Sequence, residues 1–295
     1  MTEPKRHLPE LSFAQIRAMI SVLGDDSYAL QESARRYLLS LGQFAVPVLR
    51  EGAEAEHMAT RTRCRAVLRE MELRELLRSF GRLRLGQIGP DSAHGLLEGV
   101  MMVAQMVRTF VPDSRKLAAQ LRREANTLRR EFEGRSLPMC AKLLADRLHQ
   151  EFNFQSCDVD EVDVDHVMVD RAMTGGVGAP IALSLIYLMV ARWAGLSAAG
   201  VALPNHFLVR IHGPRPLLLD PFHGGRVIPK ADCARYLRAT GFDRVREHLR
   251  DLTDREVLIH YLRSLRRASN RRHSEWRHSD ARATLGKALG ILETS

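Results

Sequence analysis

Apolar residues recur three and four positions apart as far as about Phe154, and this is the period of amphipathic helices. From Phe13 to about Leu85 the spacing predicts helices, interrupted by Gly24-Asp25-Asp26-Ser27, which supplies caps for the next helix. A faint echo of Ala34–Leu38 in Cys64–Leu68 indicates a pair of HEAT-like helical hairpins. Two such units are fewer than the roughly three that a free-standing solenoid needs, so we expect them to dock on the rest of the chain.

Glycine and proline are concentrated between Gly81 and Pro90, which marks the first linker. Beyond it, each amphipathic stretch opens with a capping residue or an early proline. The pattern predicts three helices here, at Ser92–Thr109, Asp113–Phe132 and Pro138–Glu151.

The pattern changes after Phe154. Valines interleaved with acids between Val159 and Val169 indicate a strand or an extended loop. A glycine-rich turn, Gly175–Pro180, leads into a long apolar helix, Ile181–Trp193, and helix returns from Lys230 onward. Between them, turn dipeptides separate three strand-like runs, Ala199–Ala202, Phe207–Ile211 and Leu217–Leu219. The predicted fold class is therefore α+β, mostly helical with a small antiparallel sheet.

The composition indicates what type of protein this is and in which compartment we expect it. The chain has 295 residues, of which 45% are hydrophobic, which is enough for a large buried core. Its longest apolar stretch, Ile181–Val190, is shorter than the roughly 20 residues that cross a bilayer, and its first residues lack an apolar signal segment. We expect a cytoplasmic protein without a membrane partner. The cysteines lack metal or disulfide spacing, so we expect reduced thiols and neither metal nor cofactor: Cys64, Cys140, Cys157 and Cys233.

Positive charge is concentrated near the end of the sequence. The formal net charge is +9, and seven arginines fall between Arg263 and Arg282. Such clusters bind phosphate or acidic surfaces, although no recognised nucleic-acid fold accompanies this one, and an exposed helical face is favoured. The candidate contacts for nucleic acid or an acidic partner are Arg266, Arg267, Arg271, Arg272 and Trp276, the last as a stacking face.

Three features point to one kind of site: the glycine-rich turn before a buried helix, His206 near the head of a strand, and Asp220 at the end of the next strand. In a papain-type site a cysteine stands at a helix N-terminus, where the helix dipole favours the thiolate; a histidine is the base and an aspartate orients it. The window from Gly176 to Ser184 contains no cysteine. An acyl-enzyme is therefore not expected, and the histidine and aspartate are interpreted as vestigial.

Three sequence blocks carry a family resemblance: G-x-P-I-x-L-S-x-x-Y-L-x-x-A-R-x-x-G-L, P-x-H-F-L-V-R and L-D-P-F-x-G-G-R. Together they resemble the SirB-type branch of the transglutaminase-like superfamily, strongly from Asp165 to Val227 and loosely back to Gly89. The resemblance implies a papain-type α+β core in a largely bacterial family, often followed by tetratricopeptide-like helices. This chain departs from that pattern in its short arginine-rich tail and in its HEAT-like front.

We therefore predict a HEAT-like region at 1–86, a transglutaminase-like core with its helical lead-in at 87–250, and a short basic helical tail at 251–295. The expected function is that of a non-catalytic scaffold or regulator that binds a protein or peptide. Its pseudo-active cleft would comprise Gly176, Pro180, Ser184, Asn205, His206 and Asp220.

Other interpretations stay open. A hydrolase or amidase would use His206 and Asp220 to activate water, whereas a purely structural pair would only tie two strands together. For Asn205 a turn is favoured over a ligand contact, and the Ser184 hydroxyl is expected to bond a main-chain carbonyl. The acids from Asp158 to Asp165, with His166, are interpreted as a solvated edge in preference to a metal site, because they lack the EF-hand spacing.

Overall fold

A computed structural model describes residues 13–85, 92–108, 111, 113–158, 160–270 and 280–294. The chain divides into two compact units, Met1–Arg78 and Ser79–Ser295. The predicted boundaries at residues 86 and 250 differ from this division and stay predictions.

The first unit consists of helices, as predicted. Each helix turns an apolar face inward, with Ile16, Leu38, Leu49 and Val67 among the buried residues of their common core. Their HEAT-like character stays a prediction. The helices are α1 (Phe13–Leu23), α2 (Tyr28–Leu41), α3 (Val46–Gly52) and α4 (Met58–Phe80), with a 3₁₀ turn at Gly42–Ala45.

The second unit combines helices with two small sheets, which confirms the α+β fold class. Its helices before the main sheet are α5 (Ser92–Val107), α6 (Ser114–Glu131), α7 (Leu137–Phe152), α8 (Val164–Val167), α9 (Val169–Gly175) and α10 (Pro180–Trp193). Those after it are α11 (Lys230–Ala239), α12 (Val245–His248), α13 (Asp254–Ser269) and α14 (Asp280–Thr294).

The main sheet is antiparallel and follows the chain in strand order. Neighbouring strands pair as hairpins, so His206 faces Leu203 across the first hairpin and Asp220 faces Arg226 across the last. The strands are β3 (Ala198–Leu203), β4 (His206–Ile211), β5 (Leu217–Asp220) and β6 (Arg226–Val227), and a separate parallel pair is formed by β1 (Gln155–Ser156) and β2 (Val177–Gly178).

Helix α10 occupies the centre of the second unit, and every one of its residues is buried. A helix that is apolar all round must be covered on all sides, and α10 packs against α5 and α6 as well as β3 and β4. Near its end the fully buried Arg192 donates to the Ala198 carbonyl at 2.9 Å, to the Ser92 hydroxyl at 2.8 Å and to Asp254 at 2.7 Å. This cluster joins α10 to α5, β3 and α13.

The valine-rich stretch that we predicted as a strand or an extended loop, Val159–Val169, contains a short helix. Part of it forms α8, because Asp163 and His166 make a capping box: the Asp163 carboxylate accepts from the His166 N–H at 2.9 Å, and the imidazole accepts in return. Local capping thus outweighs the strand preference of the valines.

Helices α13 and α14 lie in the stretch that we predicted as a short basic helical tail. Both belong to the second unit, and α13 packs against α5, α8 and α10. None of the helices that the structure describes has the length and apolar character that a bilayer-spanning segment requires.

Candidate functional site

His206 stands at the start of β4, directly after the two-residue turn from β3. Pro204 and Asn205 form that turn, and Asn205 has a φ of +54°, which asparagine tolerates better than most residues. The His206 ring lies edge-on to Phe222, with centroids 5.8 Å apart. The hairpin therefore fixes the histidine at the head of its strand, where the sequence placed it.

Asp220 ends β5 and caps the 3₁₀ turn Pro221–His223. Its Oδ1 accepts from the backbone N–H of His223 at 3.3 Å and lies 2.9 Å from Nε2 of His206. Its Oδ2 lies 2.7 Å from Nδ1 of His223. One carboxylate, with a side chain that is 3% exposed, thus holds two imidazoles. We call these three residues the His–Asp–His cluster.

The charge of Asp220 determines how this cluster is protonated. Burial acts to raise the pKa of Asp220, but the hydrogen bonds and positive field of His206 and His223 outweigh it and hold the pKa below its usual value. An ionised carboxylate only accepts hydrogen bonds, so the two facing ring nitrogens carry protons. Arg226 adds a further positive charge 3.7 Å from Oδ2.

A cleft of about 960 Å³ opens beside the His–Asp–His cluster. The start of α10 forms one side, with Ala179 at the N-cap position and Pro180 as the first helical residue. Helix α13 contributes His260, Ser264 and Arg267 to another side. The glycine turn, the histidine strand and the aspartate strand therefore meet at one cleft.

Helix α13 contributes a histidine, His260, and an arginine, Arg267, to the lining of the cleft. Burial lowers the pKa of His260, and the nearby Arg263 lowers it further, so His260 offers the cleft a neutral imidazole at pH 7. Arg267 donates to the Asn205 side-chain oxygen at 3.3 Å and so links α13 to the turn before β4.

Cysteine is present at the cleft, but not in the place that covalent chemistry requires. Cys233 borders it and is 2% exposed, and burial raises the pKa of its thiol, with Asp232 adding to the effect. A nucleophile needs a lowered pKa and access to substrate. Cys157 is buried and is not among the residues that line the cleft.

Two of the predicted site residues are not among the residues that line the cleft. Ser184 is fully buried within α10, and its hydroxyl donates to the Phe207 carbonyl at 2.8 Å. The expected bond to a main-chain carbonyl is thus present, although its acceptor lies on β4. Gly176 is the C-cap residue that follows α9; its φ is +75°, and it lies close to the Asn153 carbonyl, so its role is in the turn. Pro180 and Asn205, with the His206 and Asp220 pair, do line the cleft.

The structure describes only part of the arginine-rich segment near the end of the sequence. Arg266 and Arg267 are exposed on α13, and Arg267 borders the cleft. Arg271, Arg272 and Trp276 lie outside the described residues, so the predicted contact with nucleic acid or an acidic partner stays a prediction.

Sequence reasoning missed several cleft residues. His223 and Arg226 lie within the block L-D-P-F-x-G-G-R, and an aspartate before proline that caps a short turn could have indicated that the residue three positions later lies beside it. His260 has no comparable local signal, because it reaches the cleft only through the packing of α13.

An α+β domain whose buried helix starts beside a histidine–aspartate pair, at the edge of an antiparallel sheet, has the layout of a papain-type core. A family profile described as the transglutaminase-like superfamily matches residues 115–263, which is just over half of the chain. The chain belongs to this superfamily.

Two relatives are similar over short segments. A UPF0162 protein of Xylella fastidiosa strain 9a5c is 43% identical over 74 residues, which are 25% of this chain and 24% of the relative. A UPF0162 protein of the Temecula1 strain is 47% identical over 51 residues, or 17% of this chain and 18% of the relative. The chain thus matches a quarter or less of the length of these relatives. No solved structure gives a significant match.

Proposed function

We infer that this protein is a nucleophile-less member of the SirB-type branch of the superfamily, which binds a peptide or a small polar ligand in its cleft and acts as a scaffold or regulator. The start of α10 carries this proposal. Ala179 and Pro180 border the cleft there, and they offer only a methyl group and a pyrrolidine ring where an acyl transferase needs a thiol.

The cleft lining supports binding without covalent chemistry. Asp160 and Asp232 supply negative charge, Arg226 and Arg267 supply positive charge, and Phe222 supplies apolar surface. A concave surface with a few converging polar groups on an apolar background is typical of ligand sites. Charges of both signs suit a peptide or another ligand that carries donors and acceptors together.

Blocking the cleft should abolish binding. Ser264 lines the cleft from α13, so Ser264→Trp would fill part of its volume with an indole ring. We expect ligand-observed NMR with a library of short peptides to find ligands of the full chain, and their affinity to fall at least about tenfold in Ser264→Trp, which is about 1.4 kcal/mol.

The matched control is Arg266→Trp, on the same helix but away from the cleft lining, and it should bind as the unaltered chain does. If none of the peptides binds, or if both tryptophan variants bind equally well, the proposal fails.

One observation favours a hydrolytic alternative. Nε2 of His206 faces Asp220, and within the described part of the chain Nδ1 of the same ring has no hydrogen-bond partner. A ring nitrogen that is oriented in this way by a carboxylate can take a proton from water. His206 would then act as a general base without a covalent intermediate.

His206→Gln separates this alternative from the proposal. We expect the unaltered chain to hydrolyse a panel of chromogenic esters and amides no faster than His206→Gln does, because a general base alone, without a nucleophile, contributes little of the rate enhancement of an acyl transferase. A rate at least about 100-fold higher in the unaltered chain, with a similar melting temperature in both proteins, would favour the hydrolase instead. His212→Gln, in which an imidazole outside the cleft is replaced, is the control.

A further inference from the structure

The His–Asp–His cluster brings three potential metal ligands together. Nε2 of His206, a carboxylate oxygen of Asp220 and Nδ1 of His223 all lie within 4.8 Å of one another. Among the described residues, these three form the group of metal-ligating side chains whose ligand atoms lie close enough together to hold an ion. We propose that the cluster binds a divalent transition-metal ion of the Zn²⁺ type.

The chemistry of the ligands selects the kind of ion. Two imidazole nitrogens and one carboxylate oxygen suit zinc and the neighbouring first-row divalent ions, whereas calcium and magnesium prefer ligand sets made of oxygen. Three protein ligands also leave coordination positions open, as in zinc sites that bind water or substrate. Here all three ligand residues line the cleft, so a ligand in the cleft could reach an open position.

The ligand atoms are close enough together for the side chains to close around an ion. Ligand atoms around a tetrahedral zinc ion stand about 3.3 Å apart, given bonds of about 2 Å. Nε2 of His206 lies 2.9 Å from Oδ1 of Asp220, and Nδ1 of His223 lies 2.7 Å from Oδ2. The two histidines thus contact different oxygens of the carboxylate, and the three ligand atoms lie within 4.8 Å of one another. The His223 side chain is 48% exposed and therefore has room to rotate towards an ion. The hydrogen bonds thus gather the three ligand residues at one place, and the side chains close around the ion when it binds.

Ion binding changes the protons of the cluster. Both facing nitrogens now carry protons that they donate to Asp220, whereas a metal ligand must offer a lone pair. Each of these nitrogens therefore has to give up its proton, to the other nitrogen of its ring or to solvent, before it can bind the ion.

One charge opposes the ion. Arg226 lies 3.7 Å from Oδ2 of Asp220. Its side chain is 60% exposed, so the guanidinium can turn into solvent when a cation enters. Arg226→Gln should therefore bind the ion at least as tightly as the unaltered chain, which distinguishes a neighbouring charge from a ligand.

Metal titration of the full chain tests the inference. After dialysis against a chelator, Zn²⁺ is titrated in competition with a chromophoric chelator, and Co²⁺ is followed by its visible absorption. We expect one bound ion per chain and intense cobalt bands typical of four- or five-fold coordination. His206→Ala and His223→Ala should each weaken binding by at least about tenfold.

His57→Ala is the matched control, because it removes an exposed imidazole from the first unit. An unaltered chain that binds no ion overturns the inference, as does a His223→Ala variant that binds as tightly as His57→Ala. The metal site goes beyond the proposed function. Its failure would leave the peptide-binding result with Ser264→Trp unchanged, so the two proposals are tested separately.

Discussion

Replacing Arg192 with leucine should destabilise the second unit by about 3–5 kcal/mol. The guanidinium is fully buried and is bonded to a carbonyl, a hydroxyl and the carboxylate of Asp254. Burial raises the pKa of Asp254, and Arg192 is the main group that opposes this. Without Arg192 the buried carboxylate loses its countercharge and must either stay charged at high cost or bind a proton. Urea denaturation, followed by the fluorescence of Trp193, measures the loss.

Two variants show whether the effect belongs to the buried pair. Arg171→Leu breaks an exposed ion pair, whose atoms lie 3.5 Å apart, and should cost less than about 1 kcal/mol. Arg192→Leu combined with Asp254→Leu should recover most of the lost stability, because apolar replacement of both partners removes the unpaired charge. If Arg192→Leu costs no more than Arg171→Leu, the buried cluster contributes little.

The same cluster also bears on the shape of the cleft. Arg192 lies near the end of α10, whereas Pro180, at the other end, borders the cleft. Asp254 is the first residue of α13, which carries His260 and Arg267 to the cleft. A buried ion pair thus links two helices that both contribute side chains to the cleft, so we expect a loss of the pair to affect both stability and binding.

The spacing of apolar residues was enough to predict most of the helices and strands. The predicted helix Ile181–Trp193 and α10 differ by one residue at the start, because proline at the first helical position extends it. The sequence could predict that His206 and Asp220 lie close together, because a short connection joins their strands and the strands pair antiparallel. Local patterns thus sufficed where neighbours in the sequence are also neighbours in space.

The positions of the other cleft residues depend on tertiary contacts, which a local sequence pattern does not encode. His260 and Arg267 reach the cleft from a helix that we predicted as a separate tail, and only its packing on α5, α8 and α10 places them there. Ser184 follows the glycine turn in sequence, but the helix turns its hydroxyl towards β4. These positions follow from tertiary packing, which periodicity alone does not fix.

Introducing a thiol at the start of α10 should produce a reactive one. In Pro180→Cys the new side chain would stand at the first position of a 14-residue helix, beside the cleft that also contains His206. The helix dipole and a histidine held by Asp220 both favour the thiolate. We expect its pKa to fall at least about one unit below the ordinary 8.5. Alkylation by iodoacetamide at pH 6.5 should then be about tenfold faster than in Ser197→Cys, because Ser197 is exposed and is not among the residues that line the cleft.

Removing the histidine separates the two causes of this shift. The four native cysteines are buried, so the unaltered chain supplies a low background of alkylation. Adding His206→Gln to Pro180→Cys leaves the helix dipole in place but removes the base, and the thiol pKa should return most of the way towards its ordinary value. Such a return would mean that the histidine and aspartate keep the orientation of a papain-type pair and that only the nucleophile is missing. An unchanged pKa would instead mean that His206 does not face the helix start, and the pair would then be a structural tie between β4 and β5.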